Sequence, residues 1–301
     1  MKIINGENTV LDFKDEYPSI DVQDEFLQGN KKNPNVINRR KYSSQWTRGD
    51  TEKRYDENIA KGVKYTYKKD DFYYDINANG FRCDDFDTMD FTKKSIIYLG
   101  CSKTYGIGVP ESDAWPTMLH EMIQKEHNTT YNYINLGVPG GGIDYYLHFL
   151  PYFSKFNPKM VISATPEIVR MNLIKDDRSS EEIAKDEGCV YLRQYIVSDL
   201  WDVRNGWSKT LIPPLDDIYK GMISYGDAYF EYRKKVVFAT IDSFAKMLNA
   251  RFVENDTEVT LQRWKYHPDE VNARDLDHPS MYSHKKFTEM MLDKIKGNNN
   301  E

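Results

Sequence analysis

A serine placed straight after a short apolar run, with an Asp-x-x-His near the other end of the chain, is the combination in this sequence with the most chemistry in it. Ser95-Ile96-Ile97-Tyr98-Leu99 reads as a buried strand and leads through Gly100-Cys101 into Ser102, while Asp275-Leu276-Asp277-His278-Pro279-Ser280 supplies the partners. A serine hydroxyl attacks an acyl carbon only when a base takes its proton, and an imidazole serves as that base when a carboxylate orients it and stabilises its charged form. The candidate catalytic residues are therefore Ser102 as nucleophile, His278 as base and Asp275 as the orienting acid. Asp277 is adjacent to His278 and its side chain would point elsewhere, so Asp275 is preferred.

These residues need a scaffold that gathers them. From Thr92 onward the pattern alternates strands with helices: strands over Ser95–Leu99, Tyr131–Leu136, Met160–Ser163 and Arg251–Glu254, with a further candidate at Val259–Trp264. Helices are predicted from Trp115 through Ile123, along Ile143–Leu150, over Asp227–Leu248 and over Lys285–Ile295. Such alternation implies an α/β fold whose parallel strands are joined by crossover helices and covered on both faces. Ligands of open parallel sheets sit at the carboxyl ends of the strands. Ser102 lies there, and so does the glycine-rich loop after Asn135-Leu136-Gly137, where the backbone N–H groups of Gly137 and Ser102 are candidates to hold an oxyanion.

Outside that alternation the chain is irregular. Residues 1–70 form a polar N-terminal arm, basic and aromatic between Lys31 and Arg54, whose expected roles are to wrap onto the main domain or to dock a protein partner. The α/β domain is expected over 71–296, opening on a β-ribbon through Tyr65, Tyr67, Phe72 and Tyr74; an insertion at about 175–214 sits near the site, and 297–301 is a frayed tail. Trp201 and Trp207 of the insertion are candidates to stack on sugar rings.

Composition excludes several classes. A net charge of −6 opposes a dedicated nucleic-acid binder, which needs a basic excess. Cys83, Cys101 and Cys189 are scattered without metal-ligand spacing, so no metal site is expected. The first residues lack the order of a signal peptide and no apolar run reaches membrane-spanning length, so the expected location is cytoplasmic or virion-associated. Neither Gly100–Thr104 nor Gly137–Gly142 has the spacing of a nucleotide-binding loop.

The chain resembles the SGNH, or GDSL-type, hydrolase superfamily. Gly100-Cys101-Ser102 is similar to its Gly-Asp-Ser block, Asn135-Leu136-Gly137 to the block that lines the oxyanion hole, and Asp275-Leu276-Asp277-His278 to its Asp-x-x-His block; Asn77-x-x-Gly80-Phe81-Arg82 and the Trp115-Pro116 region also fit, over roughly Asn77 to Leu292. The resemblance implies a three-layer α/β/α flavodoxin-like sandwich with a central parallel sheet. It further implies hydrolysis of esters without a cofactor, frequently of O-acetyl groups on carbohydrates, so that the substrate is a small-molecule or polysaccharide ester.

Two departures from the family pattern bear on activity. Cys101 replaces the usual aspartate, and Ala164-Thr165-Pro166-Glu167 stands where Gly-x-Asn-Asp is usual, so the asparagine that donates to the oxyanion is missing. Loss of one such donor costs on the order of 10²–10³ in turnover. Thr165, Arg170 and Asn172 are the candidate substitutes. Three readings stand at this point: an esterase or deacetylase, a binding or structural component of a larger assembly on the same fold, and an acyl transferase that uses the same serine.

Overall fold

The computed structural model describes residues 2–5, 9–12, 41–47, 50–63, 67–139, 141–166, 171–175, 190–197, 226–255, 273–276 and 278–297. In chain order the elements are strands β1 (Lys2–Asn5), β2 (Thr9–Asp12) and β3 (Tyr42–Ser44), helix α1 (Glu52–Ala60), β4 (Tyr74–Ile76), β5 (Ser95–Gly100), α2 (Ser102–Tyr105) and α3 (Trp115–His127). There follow β6 (Asn132–Gly137), α4 (Tyr145–Phe149), β7 (Pro158–Ala164), β8 (Met171–Lys175), β9 (Val190–Val197), α5 (Gly226–Met247), β10 (Arg251–Asn255) and α6 (Met281–Lys296).

The central sheet is four-stranded in the order β10-β7-β5-β6, with every pairing parallel. Counted along the chain this is 2-1-3-4, the flavodoxin-like arrangement, and the crossover direction changes between β5 and β7. All residues of β5 are buried, as an uninterrupted apolar run requires of a strand covered on both faces. Alternate side chains feed two cores. Ile97, Leu99, Ile134, Leu136 and Val161 meet Tyr146 and Phe149 of α4 and Val237 and Ile241 of α5. On the opposite face Ile96, Tyr98, Met160 and Ile162 meet Trp115, Leu119 and Ile123 of α3 and Phe287, Met291 and Ile295 of α6. The result is an α/β/α sandwich with the serine loop at the carboxyl edge.

Several elements differ from the sequence expectation for local reasons. The helix expected over Ile143–Leu150 is confined to Tyr145–Phe149 and tightens into a 3₁₀ turn at Leu150–Tyr152, where Pro151 has no N–H to continue the ladder. α6 begins at Met281, ahead of the expected Lys285, because Ser280 caps it by accepting from the N–H of Ser283. The ribbon expected through Tyr67 and Phe72 is broken by a turn at Lys68–Asp71, closed by the Asp71 N–H on the Lys68 carbonyl at 3.3 Å. Among the described residues β4 remains of it, paired antiparallel with β3, and Tyr65 lies outside them. Tyr67, Phe72 and Tyr74 instead build a third cluster with Tyr105, Ile107, Val109 and Ala273. The possible strand at Val259–Trp264, Trp201 and Trp207 lie outside the described residues.

A second four-stranded sheet has the order β2-β1-β9-β8. Its β9 falls within the region expected as an insertion and pairs antiparallel with β8, which ends where that region begins, and β1 runs parallel to β9. Within the basic stretch, Thr47 and Asp50 are buried, and Trp46 packs against Tyr55 of α1 with ring centroids 6.0 Å apart. These described residues of the arm lie on the body of the protein.

Candidate active site

Two segments converge at the carboxyl edge of β5. The first is the turn that carries the serine. Cys101 is extended (φ −99°, ψ −152°) and acts as N-cap, Ser102 opens α2, and Gly106 closes it in the left-handed region at φ +81°. This short helix sits hard against the strand ends. A Cβ on Gly100 would come within 1.7 Å of Thr104 Oγ1, and one on Gly137 within 2.6 Å of the Tyr105 nitrogen. Ser102 is buried to 8% of its full exposure, and its hydroxyl lies 3.9 Å from Cys101 Sγ.

Arg82 fastens the far end of the same turn. Its guanidinium is wholly buried and donates to the carbonyls of Tyr105 at 3.3 Å, Gly106 at 2.5 Å and Val109 at 3.0 Å. Its charge also stands over the Tyr74 ring, 4.7 Å from the centroid. Among the motifs of the sequence Arg82 was visible only as part of a family block; an arginine among apolar residues just before the serine strand was the available signal.

The second segment is the loop over 273–280. Leu276 takes φ +64°, uncommon for a residue with a branched side chain, and its N–H closes a turn on the Ala273 carbonyl at 3.0 Å. That turn brings Asp275 and His278 together: the His278 N–H donates to Asp275 Oδ1 at 3.1 Å, and Nδ1 is hydrogen-bonded to Oδ2. His278 Nε2 lies 2.8 Å from Ser102 Oγ, across 176 positions of sequence. Hydroxyl, imidazole and carboxylate thus form one chain of hydrogen bonds. Burial pushes the Asp275 carboxyl up, but the charge and hydrogen bonds of His278 outweigh it and hold the group below the usual carboxylate range. Asp277 lies outside the described residues.

Among the described residues, His284, one turn into α6, is a second imidazole near this chain. It is fully buried, accepts from the Trp115 N–H at 3.2 Å, and is pushed down to about 3 by that burial and by the charge of His278. It stays neutral and fixes α6 to the start of α3.

Of the two oxyanion candidates, Gly137 donates its N–H to Asn135 Oδ1 at 2.9 Å, at the end of β6. What requires glycine there is the close approach of α2. Ser102, as the first residue of α2, keeps an N–H that no intrahelical bond uses. Of the substitutes for the missing asparagine, Thr165 is buried just past β7, beside the serine turn by the β5–β7 register, and its N–H donates to the Asn255 carbonyl at 3.1 Å. Arg170 lies outside the described residues, and Asn172 belongs to β8. Among the described residues no group of His, Cys, Asp or Glu side chains is placed to hold a metal ion, and no helix is long and apolar enough to cross a membrane.

No protein-family model matches the chain, and no curated protein matches it. Among solved structures it is similar to that of TesA, at 14% identity and a TM-score of 0.34, covering 68% of this chain and 99% of that one. It is also similar to a two-domain esterase, CEX, active on acetylated mannans, at 17% identity and a TM-score of 0.29, covering 67% of this chain and 49% of that one. A third is AlinE4, at 13% identity and a TM-score of 0.27, covering 71% of this chain and 100% of that one. The chain therefore spans about half the length of the two-domain esterase. By strand order and layers it is an α/β protein of flavodoxin-like architecture, and the solved structures it resembles include one described as an SGNH-hydrolase family esterase.

Proposed function

We propose that the protein is a serine esterase or deacetylase of the SGNH type. The observation that carries the reading is the 2.8 Å contact between His278 Nε2 and Ser102 Oγ, with Asp275 hydrogen-bonded to the far side of the ring. Ser102 Oγ attacks the ester carbonyl as His278 takes its proton, and the Asp275 carboxylate stabilises the imidazolium. The N–H groups of Ser102 and Gly137 steady the tetrahedral oxyanion, with Thr165, Arg170 and Asn172 as the candidates to replace the missing asparagine. Collapse of that intermediate breaks the bond to the alcohol, which leaves with the proton held by His278. Water then enters, gives a proton to His278, attacks the acyl-serine and releases the carboxylic acid, and the proton returns to Ser102.

The natural substrate is proposed to carry an O-acetyl or similar acyl group, on a carbohydrate by analogy with the superfamily. If a sugar hydroxyl replaces water in the second half, the same residues perform acyl transfer.

One observation favours a second reading, a weakly active or inactive binding component. The N–H groups of Gly137 and Thr165 are engaged by the Asn135 side chain and the Asn255 carbonyl, and either must release its partner before it can hold an oxyanion. Purified protein incubated with an activated acetyl ester, beside Ser102→Ala and His278→Ala, decides between them. Turnover by the wild type that both substitutions abolish supports the esterase. A folded wild type that neither turns over the ester nor is labelled at Ser102 by a fluorophosphonate supports the binding component.

A further inference from the structure

Arg274 stands immediately before Asp275, and its guanidinium is completely buried. The Asp50 carboxylate accepts from its Nη2 at 2.7 Å and from its Nε at 2.8 Å. The carbonyls of Lys69, at 3.0 Å, and of Gln45 accept from the remaining N–H groups. Phe72 and Trp46 cover the flat faces, with centroids 3.8 and 4.3 Å from the guanidinium carbon. All these partners come from the segment ahead of the parallel sheet.

The contacts close into a ring. Tyr74 donates its hydroxyl proton to Asp50 at 2.6 Å and accepts from the Gly108 N–H at 2.8 Å. The Gly108 carbonyl in turn accepts from the Arg274 N–H at 2.9 Å. Gly108 follows the serine turn, at φ +84°, and a Cβ there would lie 2.9 Å from Asp275 Oδ1. Asp50, Tyr74, Gly108 and Arg274 thus bind the chain leaving Ser102 to the chain entering Asp275.

Burying an ion pair does not by itself stabilise a fold, because desolvation offsets the attraction; fixing one geometry is what such a pair contributes best. We propose that Asp50 is a positioning residue of the Ser102 site: through Arg274 it holds the Asp275 carboxylate, and with it the His278 ring, where the imidazole reaches the serine. The N-terminal segment is then part of the site. The kinetic arm of this proposal rests on the esterase reading, and the structural arm does not. Among the described residues, the charged and titratable groups around the Asp275–His278 pair are Asp50 and Arg274 from this ring, Arg54 of α1, Lys103 and Arg82 at the serine turn, and His284 of α6.

The test uses the full chain with Asp50→Asn and Tyr74→Phe, and Ile123→Val as a control for lost stability in the core away from the site. With an activated acetyl ester, Tyr74→Phe is expected to lower kcat by about 10- to 100-fold with KM little changed, the scale of a misplacement remote from the reacting atoms. Asp50→Asn is expected to do the same and to move the acid limb of the rate profile to lower pH, since a negative charge beside the pair is gone. In both, the low-field proton resonance of the His278–Asp275 hydrogen bond shifts or broadens; in Ile123→Val it does not. Folded variants with a lower unfolding midpoint but wild-type kcat, pH profile and proton resonance would overturn the proposal. Should Asp50→Asn fail to fold, Tyr74→Phe, which keeps the aromatic side chain and loses only its hydroxyl, decides alone. A wild type inert to ester and to fluorophosphonate sinks the esterase reading, and the proton resonance still decides the positioning role.

Discussion

Arg82 spends its buried guanidinium on Val109, whose carbonyl it binds at 3.0 Å from 27 positions away. With the carbonyls of Tyr105 and Gly106 as its other acceptors, it satisfies the end of the turn that begins at Ser102. Arg82→Met keeps most of the volume and removes every donor. It is expected to lower stability by about 2–3 kcal/mol, the scale for buried hydrogen bonds to a charged group left without their donor. Chemical denaturation measures it, and a variant within experimental error of wild type would show the carbonyls to be satisfied by other means.

Asp275 orients His278 twice, through the ring Nδ1 and through the backbone N–H. Asp275→Asn is expected to retain the fold and to lower kcat on an activated ester by on the order of 10⁴, as the wrong tautomer does in a serine triad. Stopped assays with the purified variant check this. Activity above a hundredth of wild type would mean that the carboxylate contributes little.

Gly137→Ala tests a packing claim against an oxyanion claim. The added Cβ meets the Tyr105 nitrogen at 2.6 Å and the Thr104 carbonyl carbon at 3.0 Å, both backbone. No rotamer change relieves such a clash, so α2 must shift, at a cost of about 1–3 kcal/mol. The expected outcome is a lower melting temperature together with slower fluorophosphonate labelling of Ser102. Slower labelling with unchanged stability would instead support the oxyanion role proposed for Gly137.

Two buried imidazoles make stability depend on pH. Burial pushes His284 down to about 3 and His120 down to about 4, so the folded state keeps both neutral while the unfolded chain protonates its histidines near the ordinary value of 6.5. The unfolded state then binds more protons, and stability falls as pH drops below about 6.5, by up to about 1.4 kcal/mol per pH unit for each group. Their contribution is fully present above pH 6.5 and continues to decline until each folded group titrates. Urea midpoints at pH 7 and pH 5 should differ, and His120→Phe should flatten the dependence. A pH-independent midpoint over that interval would contradict the buried neutral state.

Much of the site was legible because its chemistry depends on residue type. A strand-end serine and an Asp-x-x-His can be read from a line of letters, and the parallel sheet follows from strands alternating with helices. The Asn135 side chain that engages the Gly137 N–H, two residues before it on the same strand, was not. The left-handed turn at Leu276 carries no glycine or asparagine to announce it. The pair of Asp50 and Arg274 has neither periodicity nor motif, and its two members separately look like surface charges. The strand Val190–Val197 was there to be read in its β-branched and aromatic residues, although the turn-rich sequence after it hides the signal.

The same pair sets an order of events for a chain emerging from the ribosome. Asp50 is translated 224 positions before the arginine that neutralises it. Until that arginine appears, the carboxylate has every reason to stay hydrated, and Trp46 and Phe72 have no cation to enclose. Assembly of the candidate site is therefore a late event, and nascent fragments halted short of Arg274 would hold the serine strand without Asp275 and His278.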